Sequence, residues 1–311
     1  MPVALLFIDG VGIGTFAPDI NPLARHEFLL SQFQDHSGAA LPRGGVLAQV
    51  DTTFGVPGRP QSASNQTAIL TGDPAPKLIG KHVLGFPNLE LRELLAKRSI
   101  VKRLVESGRS ATFANSYPAG YLDALGLKRR PSSTPDVVIP QKALRKIKAS
   151  ATTLAMAAGD VALRTLQDAR EGRGLTNDID GRRGKKNGFP VPSRSADEAA
   201  DVFLKLAQDT DFSLFEHYLA DEAGHAQDFV AAEDALRTFD AFARAVIARK
   251  PDELHVLICS DHGNVEDLST RSHTLNRVPV LYFGSDATVR EELRDVADVG
   301  RVIVKLAGGG A

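Results

Sequence analysis

Short, continuous apolar runs set the strongest constraint on how this chain can fold. They are rich in Val, Ile, Leu and Phe, and most of them lack the alternation of a strand with one solvated face. Such runs are typical of parallel strands that are buried on both faces. The runs cover residues 3–8, 111–114, 212–220, 254–259 and 278–283.

Helical patterns separate several of these runs. Apolar residues recur at three- and four-residue spacing over residues 89–107, 230–249 and 289–306, which is the spacing of one buried helix face. Strands that alternate with helices predict an α/β fold, with a mostly parallel sheet sandwiched by helices.

The stretch 116–204 differs in composition from the rest of the chain. Pro, Ser, Gly, Lys and Arg are frequent there, and its one clear apolar pattern is helical, over residues 144–166. It carries 15 Lys and Arg against 10 Asp and Glu, a net of +5, whereas the remainder carries −6. We therefore predict an inserted cap at 116–204 on a core of residues 1–115 and 205–311. The local charge would suit a lid over an anionic substrate, and a solvated basic surface is the alternative.

Charge and length exclude several function classes. The 311 residues include 37 Lys and Arg and 38 Asp and Glu, so no global basic field favours a nucleic-acid partner. The single Cys259 cannot form an internal disulfide. The run 3–8 is too short to span a membrane and no basic stretch precedes it. We expect a cytoplasmic protein without a membrane partner, and the oligomeric state stays open.

Metal-ligating residue types follow three of the predicted strands directly. Asp9 follows the first run, Asp221 the third, and Asp261 and His262 the fourth, while His273 precedes the fifth. Because the carboxyl ends of strands in an open α/β sheet converge on one edge, these side chains can meet in space.

Each of these short motifs is ordinary when taken alone. Asp221 and His225 would share one face of a helical turn, and Asp261 and His262 could reach one ion only if the backbone bent sharply, which Gly263 would permit. Together with the other Asp and His residues, they supply mixed oxygen and nitrogen ligands of the type that suits Zn²⁺ or Mn²⁺. The sequence thus predicts two divalent metal ions.

The chain resembles the alkaline phosphatase superfamily, in particular its branch with cofactor-independent phosphoglycerate mutase and phosphopentomutase. The resemblance rests on FIDGVG at residues 7–12, DEAGH at 221–225, SDHGN at 260–264 and HTLNRVP at 273–279. It covers residues 1–115 and 205–311 by the order of motifs and strands. The resemblance implies the same α/β core and phosphoryl-transfer chemistry.

The resemblance also implies a nucleophile at the start of a helix after a Pro- and Gly-rich loop. Here GVPGRP at residues 55–60 precedes QSASNQTAILTG at 61–72, a segment similar to that of alkaline phosphatases with Ser62 in the nucleophile's place. Ser64 is the rival, and it could equally be the helix N-cap.

The resemblance divides the ligands into two sets. One metal would be held by Asp9, Ser62, Asp261 and His262, and the other by Asp221, His225 and His273. Two such ions would stabilise both the attacking and the leaving oxygens.

One departure puts phosphoglycerate as the substrate in doubt. The large inserted domain of those mutases, with its SDGGVHS string and paired arginine motifs, has no counterpart, and the chain instead has Asn115, Ser116 and Tyr117 as candidate substrate contacts. We therefore predict a phosphomonoester phosphatase or a small-molecule phosphomutase that acts on a small phosphorylated substrate. The alternatives are a phosphodiester, sulfate or phosphonate hydrolase, and a non-catalytic metal-binding module.

Overall fold

A six-stranded sheet forms the centre of the protein. The structure is a computed structural model that describes residues 1–132, 137 and 139–308. The strands in that part of the chain are β1 (Val3–Ile8), β2 (Val46–Val50), β3 (Ala111–Phe113), β4 (Ser116–Tyr117), β5 (Arg164–Thr165), β6 (Phe212–His217), β7 (His255–Cys259) and β8 (Val278–Phe283). The central sheet has the order β2-β8-β7-β1-β6-β3, and β4 pairs separately with β5.

The sheet is mostly parallel, as predicted. Strand β1 lies between β6 and β7 and is parallel to both, and β3 is parallel to β6. At the other edge, β8 is antiparallel to β7, and β2 is antiparallel to β8. The connection from β7 to β8 contains no crossover helix, so the chain re-enters the sheet from the same edge and runs in the opposite direction.

Helices cover both faces of this sheet. The α-helices in the described part of the chain are α1 (Ser62–Thr71), α2 (Ala75–Ile79), α3 (Leu89–Arg98), α4 (Ile100–Glu106), α5 (Ala119–Ala124), α6 (Gln141–Leu144), α7 (Ala151–Ala158), α8 (Leu166–Arg170), α9 (Arg182–Lys186), α10 (Ala196–Gln208), α11 (Leu219–Ala226), α12 (Phe229–Arg249), α13 (Val289–Glu292) and α14 (Ala297–Leu306). Two short 3-10 helices cover Pro22–Arg25 and Pro42–Gly44.

Strand β1 is buried on both faces because a core cluster lies on each side of it. Leu5 and Phe7 belong to the cluster that contains residues of α1, α3, α4, α7 and α14. Leu6 and Ile8 belong to the cluster that contains residues of α10 and α12. This two-sided burial explains why the run is continuously apolar.

Several predicted elements are shorter in the structure. The helix predicted over 89–107 divides at Ser99, whose hydroxyl accepts the amide of Val101 and so caps α4. The pattern over 289–306 divides into α13 and α14. The pattern over 144–166 contains only α7 as a helix of its own, since Asp160 adopts a φ of 55° just beyond its end. The apolar run 212–220 forms a strand only as far as His217. Strand β2 was not predicted from the sequence.

The division into a core and a cap at 116–204 stays a prediction. Within that stretch, α7 packs against α1, α3 and α4, and α10 packs against α12. These two helices therefore belong to the two layers that cover the sheet, which favours a cap smaller than the predicted one. Among the described residues, no helix is both long and apolar enough to cross a membrane.

Candidate metal centre

The predicted metal ligands meet at the carboxyl edge of the sheet. Asp9 follows β1, Asp261 and His262 follow β7, and Asp221 lies in the first turn of α11, directly after β6. The loop before β8 brings His273 to the same place. Ligand atoms lie within 4.8 Å of one another in two groups, Asp9–Asp261–His262 and Asp221–His262–His273.

The first group surrounds the ring of His262. Its Nε2 atom lies 3.4 Å from Oδ1 of Asp9 and 3.5 Å from Oδ2 of Asp261. The Ser62 hydroxyl lies 2.9 Å from the same nitrogen. Asp9, Asp261 and His262 are all buried, whereas Ser62 is partly exposed. The serine hydroxyl therefore reaches a buried set of ligands from the accessible side.

The second group gathers around Asp221. Nε2 of His225 lies 3.3 Å from Oδ2 of Asp221, and Nε2 of His273 lies 3.6 Å from its Oδ1. The rings of His262 and His273 stack with centroids 3.7 Å apart. His262 thus stands between the groups, whereas the resemblance assigns it to one metal alone.

The histidine tautomers fit a cation at the second group. Nδ1 of His225 lies 2.7 Å from the carbonyl oxygen of Arg271, and Nδ1 of His273 lies 2.7 Å from that of Pro60. Because a carbonyl only accepts, each Nδ1 carries a proton, so the neutral form of each ring presents a lone pair at Nε2, and only the protonated form of His225 donates from Nε2 to Asp221. The two Nε2 atoms face each other at 3.1 Å. Two lone pairs at this distance repel unless a proton or a metal ion lies between or beside them.

The carboxylates of the first group also fit a cation. Burial, followed by repulsion from Asp261, raises the pKa of Asp9 well above its ordinary value. Burial and the charge of Asp221 raise the pKa of Asp261 to about 7. Oδ1 of Asp9 has no hydrogen-bond partner within the described structure. Buried acids of like charge are stable in the ionised form only when a positive charge compensates them.

Asp221 is more acidic than these two residues. Burial acts to raise its pKa, but hydrogen bonding to His225 and the nearby His262 outweigh burial and hold the pKa at about 2. The same hydrogen bond raises the pKa of His225. Burial and the neighbouring His262 lower the pKa of His273 to about 4. Asp221 is therefore ionised and His273 neutral at pH 7, which are the forms that bind metals.

The two candidate serines have different surroundings. Helix α1 begins at Ser62, with Gln61 at the N-cap position, so the expectation that Ser64 could be the N-cap is wrong. The Ser64 hydroxyl donates to the Gln61 carbonyl at 3.1 Å and accepts the Val83 amide at 3.1 Å. Ser64 is fully buried, so its role in this geometry is to hold the segment at Val83 against α1.

The start of α1 offers backbone donors beside Ser62. The first hydrogen bond of the helix runs from the Asn65 amide to the Gln61 carbonyl, so the amides of residues 62–64 precede it. Unpaired amides and the positive end of the helix dipole favour an anion such as a phosphate group.

Sequence reasoning missed Gln66 and Asn264, which orient the ligands. Nε2 of Gln66 donates to Oδ2 of Asp9 at 3.2 Å and to Oδ2 of Asp261 at 3.1 Å. Nδ2 of Asn264 donates to Oδ1 of Asp221 at 2.6 Å. The spacing of Gln66, one helical turn after Ser62, was the available signal.

Glu266 was also missed, and it ties the ligand loops together. Its buried carboxylate accepts the amides of Gly12 and Asn264 at 2.9 and 2.7 Å. It also accepts from the Thr274 hydroxyl at 2.5 Å and from the Asn276 side chain at 3.0 Å. The loops that carry Asp9, His262 and His273 are therefore held by one acceptor.

Glu216 is a further buried acid near the ligands. It is the fifth residue of β6, and burial is the main cause that raises its pKa to about 7, with a smaller contribution from Asp261. Its side chain interacts with Thr152. No motif of the sequence distinguished it from the strand around it.

Two glycines are required by close approach. A Cβ on Gly10, which has a φ of 75°, would lie 2.7 Å from Cβ of Asp221. Gly263 was expected to permit a sharp bend, but its φ is not in the positive region. A Cβ there would lie 2.2 Å from Oε1 of Glu266 and from Oγ1 of Thr274, so glycine is needed for space rather than for backbone conformation.

The predicted substrate contacts after β3 have structural partners. The Asn115 side chain donates to the carbonyl of Glu216 at 2.7 Å and accepts its amide at 2.9 Å, which extends the pairing of β3 with β6. Ser116 lies in β4 and is buried, and the ring of Tyr117 stacks on Tyr121 with centroids 5.5 Å apart. A role of these three residues in substrate binding stays a prediction.

Comparison with known proteins gives a family for the C-terminal part of the chain. Residues 179–307 match the Metalloenzyme superfamily. The 2,3-bisphosphoglycerate-independent phosphoglycerate mutase of Haloarcula marismortui is 34% identical over 129 residues, which cover 38% of this chain and 25% of that protein. The same enzyme of Coxiella burnetii (strain Dugway 5J108-111) is 29% identical over 127 residues, which cover 38% of this chain and 24% of that protein. The matches thus span about a quarter of the length of these relatives.

Solved structures share the fold over the whole chain. The alkaline phosphatase from the Antarctic bacterium TAB5 has a TM-score of 0.52 at 13% identity and covers 100% of this chain and 98% of its own. The PH0037 protein from Pyrococcus horikoshii has a TM-score of 0.52 at 17% identity, with 100% and 97% covered. At these identities the likeness concerns the fold. Residues 179–307 are thus similar to the Metalloenzyme superfamily and to these mutases, and the fold of the whole chain is similar to that of alkaline phosphatase.

Proposed function

We propose that the protein is a binuclear-metal phosphoryl-transfer enzyme that acts through a phosphoserine at Ser62, either as a phosphomonoester phosphatase or as a small-molecule phosphomutase. The observation that carries the proposal is the position of the Ser62 hydroxyl. It lies 2.9 Å from Nε2 of His262, which stands between the two groups of candidate ligands. It also lies at the start of α1, where the backbone amides of residues 62–64 have no partner among the described residues.

The residues divide between two metal positions. Asp9, Ser62, Asp261 and His262 would hold one ion. Asp221, His225 and His273 would hold the other. The mixed nitrogen and oxygen donors suit Zn²⁺ or Mn²⁺. When bound, two such ions supply positive charge that favours the ionised serine hydroxyl and the developing charge on the phosphoryl oxygens.

The chain itself orients and stabilises the reacting groups. The Ser62 oxygen forms a bond to phosphorus while the bond from phosphorus to the leaving oxygen breaks, and that oxygen takes up a proton. The unpaired amides of α1 donate to the phosphoryl oxygens. Gln66 and Asn264 keep the carboxylates of Asp9, Asp261 and Asp221 in fixed orientations.

The acceptor in the second step decides between the two activities. Water would release free phosphate, and a substrate hydroxyl would give an isomerised product. We propose that the stretch 116–204 controls this choice as a lid, because it carries the basic excess of the chain. One of its arginines, Arg183, pairs with Glu222 at 2.5 Å, next in sequence to the candidate ligand Asp221.

Ser62→Ala tests the proposal, with Ser64→Ala as the matched control on the same helix. We expect Ser62→Ala to abolish turnover of an aryl phosphate while metal content stays near normal, because Ser62 is only one of four ligands at its ion. Ser64→Ala should keep the chemistry and lose about 2 kcal/mol of stability, since two hydrogen bonds of about 1 kcal/mol each are removed. After acid quench, mass spectrometry should detect a phosphoserine in the wild type but not in the Ser62→Ala variant.

A panel of sugar phosphates and phosphoglycerates then separates the two activities. Metal-loaded protein is assayed for both free phosphate and isomerised product. Near-normal turnover by fully metallated Ser62→Ala would show that the covalent step is wrong.

A further inference from the structure

A groove of about 600 Å³ opens at the amino-terminal edge of the sheet. It is lined by the start of β3, by the residues just before β6 and by the segments that follow α7 and α8. Strands β3 and β6 are parallel to β1 and β7 through the sheet, and the candidate metal ligands follow the opposite ends of these strands. A six-residue strand spans about 20 Å, so the groove is separate from the candidate metal centre.

The lining of the groove is strongly basic. Among the described residues, only two carboxylates line it, those of Asp160 and Asp209. The cationic side chains in the lining are Arg109, Arg130, Arg164, Arg173 and Lys205.

Arg164 is buried beneath this groove and forms no ion pair with a carboxylate of the described residues, although the charge of Asp168 acts on it. Only 4% of the surface of Arg164 is exposed. Nη1 donates to the Thr112 hydroxyl at 2.5 Å and to the Phe113 carbonyl at 2.6 Å, and Nε donates to the Arg173 carbonyl. All three acceptors are neutral, and within the part of the chain that is described Nη2 makes no hydrogen bond to protein. A buried guanidinium without a counter-ion is costly.

The neighbouring cations differ in whether a carboxylate pairs with them. Arg130 and Arg173 each lie 3.2 Å from the buried carboxylate of Asp168, and Arg173 also pairs with Glu171. Arg109 pairs with Asp211 at 3.4 Å. Lys205 makes no ion pair with any residue that the structure describes. Burial and the charge of Arg130 lower the pKa of Arg164 to about 10, so its guanidinium still carries a full charge at pH 7.

We propose that this groove is a second binding site, which takes the phosphate group of a small phosphorylated molecule, with Arg164 at its floor and Arg109 and Lys205 at its rim. A guanidinium matches the geometry of phosphate oxygens. A phosphate dianion can accept from several cationic donors at once. The site does not depend on the metal chemistry proposed above, because it shares no residue with the metal centre.

The test counts phosphate ions bound per chain by equilibrium dialysis of the full-length, metal-loaded protein against radiolabelled inorganic phosphate. The groove variant carries Arg109→Gln and Lys205→Gln, both at exposed positions, so that Arg164 and the fold are left in place. A charge-conserving variant carries Arg109→Lys and Lys205→Arg. A matched control, Lys97→Gln with Arg237→Gln, removes two exposed charges from α3 and α12.

We expect the groove variant to bind one phosphate about tenfold more weakly than the wild type, because two cationic donors are lost. The charge-conserving and control variants should bind like the wild type. Equal binding by the wild type and the groove variant would overturn the proposal, and Arg164 would then serve only to close the open edge of β3 through Phe113. If the wild type binds one phosphate in the groove and none at the metal centre, the proposed function fails while the proposal for the groove is supported.

Discussion

Gln66→Met removes a side chain that donates to both carboxylates of the first ligand group. Methionine has nearly the same length and volume but no donor, so the change deletes two hydrogen bonds without opening a cavity. Nε2 of Gln66 lies 3.2 Å from Oδ2 of Asp9 and 3.1 Å from Oδ2 of Asp261. Without these bonds the two acids are free to rotate and repel each other more strongly.

The size of the effect follows from the role of the amide. A partner that orients metal ligands contributes about 10- to 100-fold in metal affinity, which corresponds to about 1.4–2.7 kcal/mol. Hydrogen bonds to ionised groups contribute about 1.5–3 kcal/mol, in the same range. We expect the loss to appear in metal affinity, because the metal-bound state requires both carboxylates to be ionised and aligned.

Gln32→Met is the matched control. Gln32 is 6% exposed and Gln66 is 7% exposed, and Nε2 of Gln32 also makes two hydrogen bonds, to the carbonyls of Leu29 and Ala39 at 3.2 and 3.0 Å. Its acceptors are neutral and belong to a loop. Gln32→Met should therefore lower the free energy of unfolding but leave metal affinity unchanged.

The assay is competition for Zn²⁺ or Mn²⁺ against a chromophoric chelator, with thermal unfolding of the metal-free proteins measured in parallel. If Gln66→Met binds metal as tightly as the wild type, the orienting role is refuted. Equal losses of metal affinity in both variants would attribute the effect to general destabilisation.

Three further predictions concern the same centre. Asp221→Asn should lower metal occupancy, measured by elemental analysis, because a neutral amide is a poorer ligand than a carboxylate; full occupancy would remove Asp221 from the ligand set. Burial raises the pKa of Glu216 to about 7 from 4.5, so the folded metal-free protein binds more protons and its free energy of unfolding should fall as pH rises from about 4.5 to 7, by at most roughly 3 kcal/mol from this group. Glu216→Gln should flatten that decline in urea unfolding, and identical pH profiles would contradict it. Gly10→Ala should cost more stability than Gly80→Ala and also weaken metal binding, because both have φ near 70° but only Gly10 faces Asp221 at 2.7 Å; equal losses in thermal unfolding and in metal affinity would argue against a steric cause.

The strands and the ligands were predictable for a common reason. A continuously apolar run is needed wherever a strand is covered on both faces, so β1, β7 and β8 are visible in the sequence within a residue of their ends. Asp9 and Asp261 follow such runs directly, and the geometry of parallel strands brings such positions to one edge. Helix ends were less predictable, because Ser99 and Asp160 stop helices whose apolar spacing continues.

The sequence by itself determined the α/β fold, the edge of the sheet at which the ligands gather and the residue types available there, because these depend on local apolar patterning and on the order of motifs. Only the tertiary structure decided which groups share a partner. It placed the hydroxyl of Ser62, rather than that of Ser64, against His262, and it brought Gln66 between two carboxylates that lie 252 residues apart in the chain. It also buried Arg164 at the opposite edge without an ion pair to any carboxylate of the described residues. Such contacts depend on how separate elements pack, and no local pattern of residues encodes them.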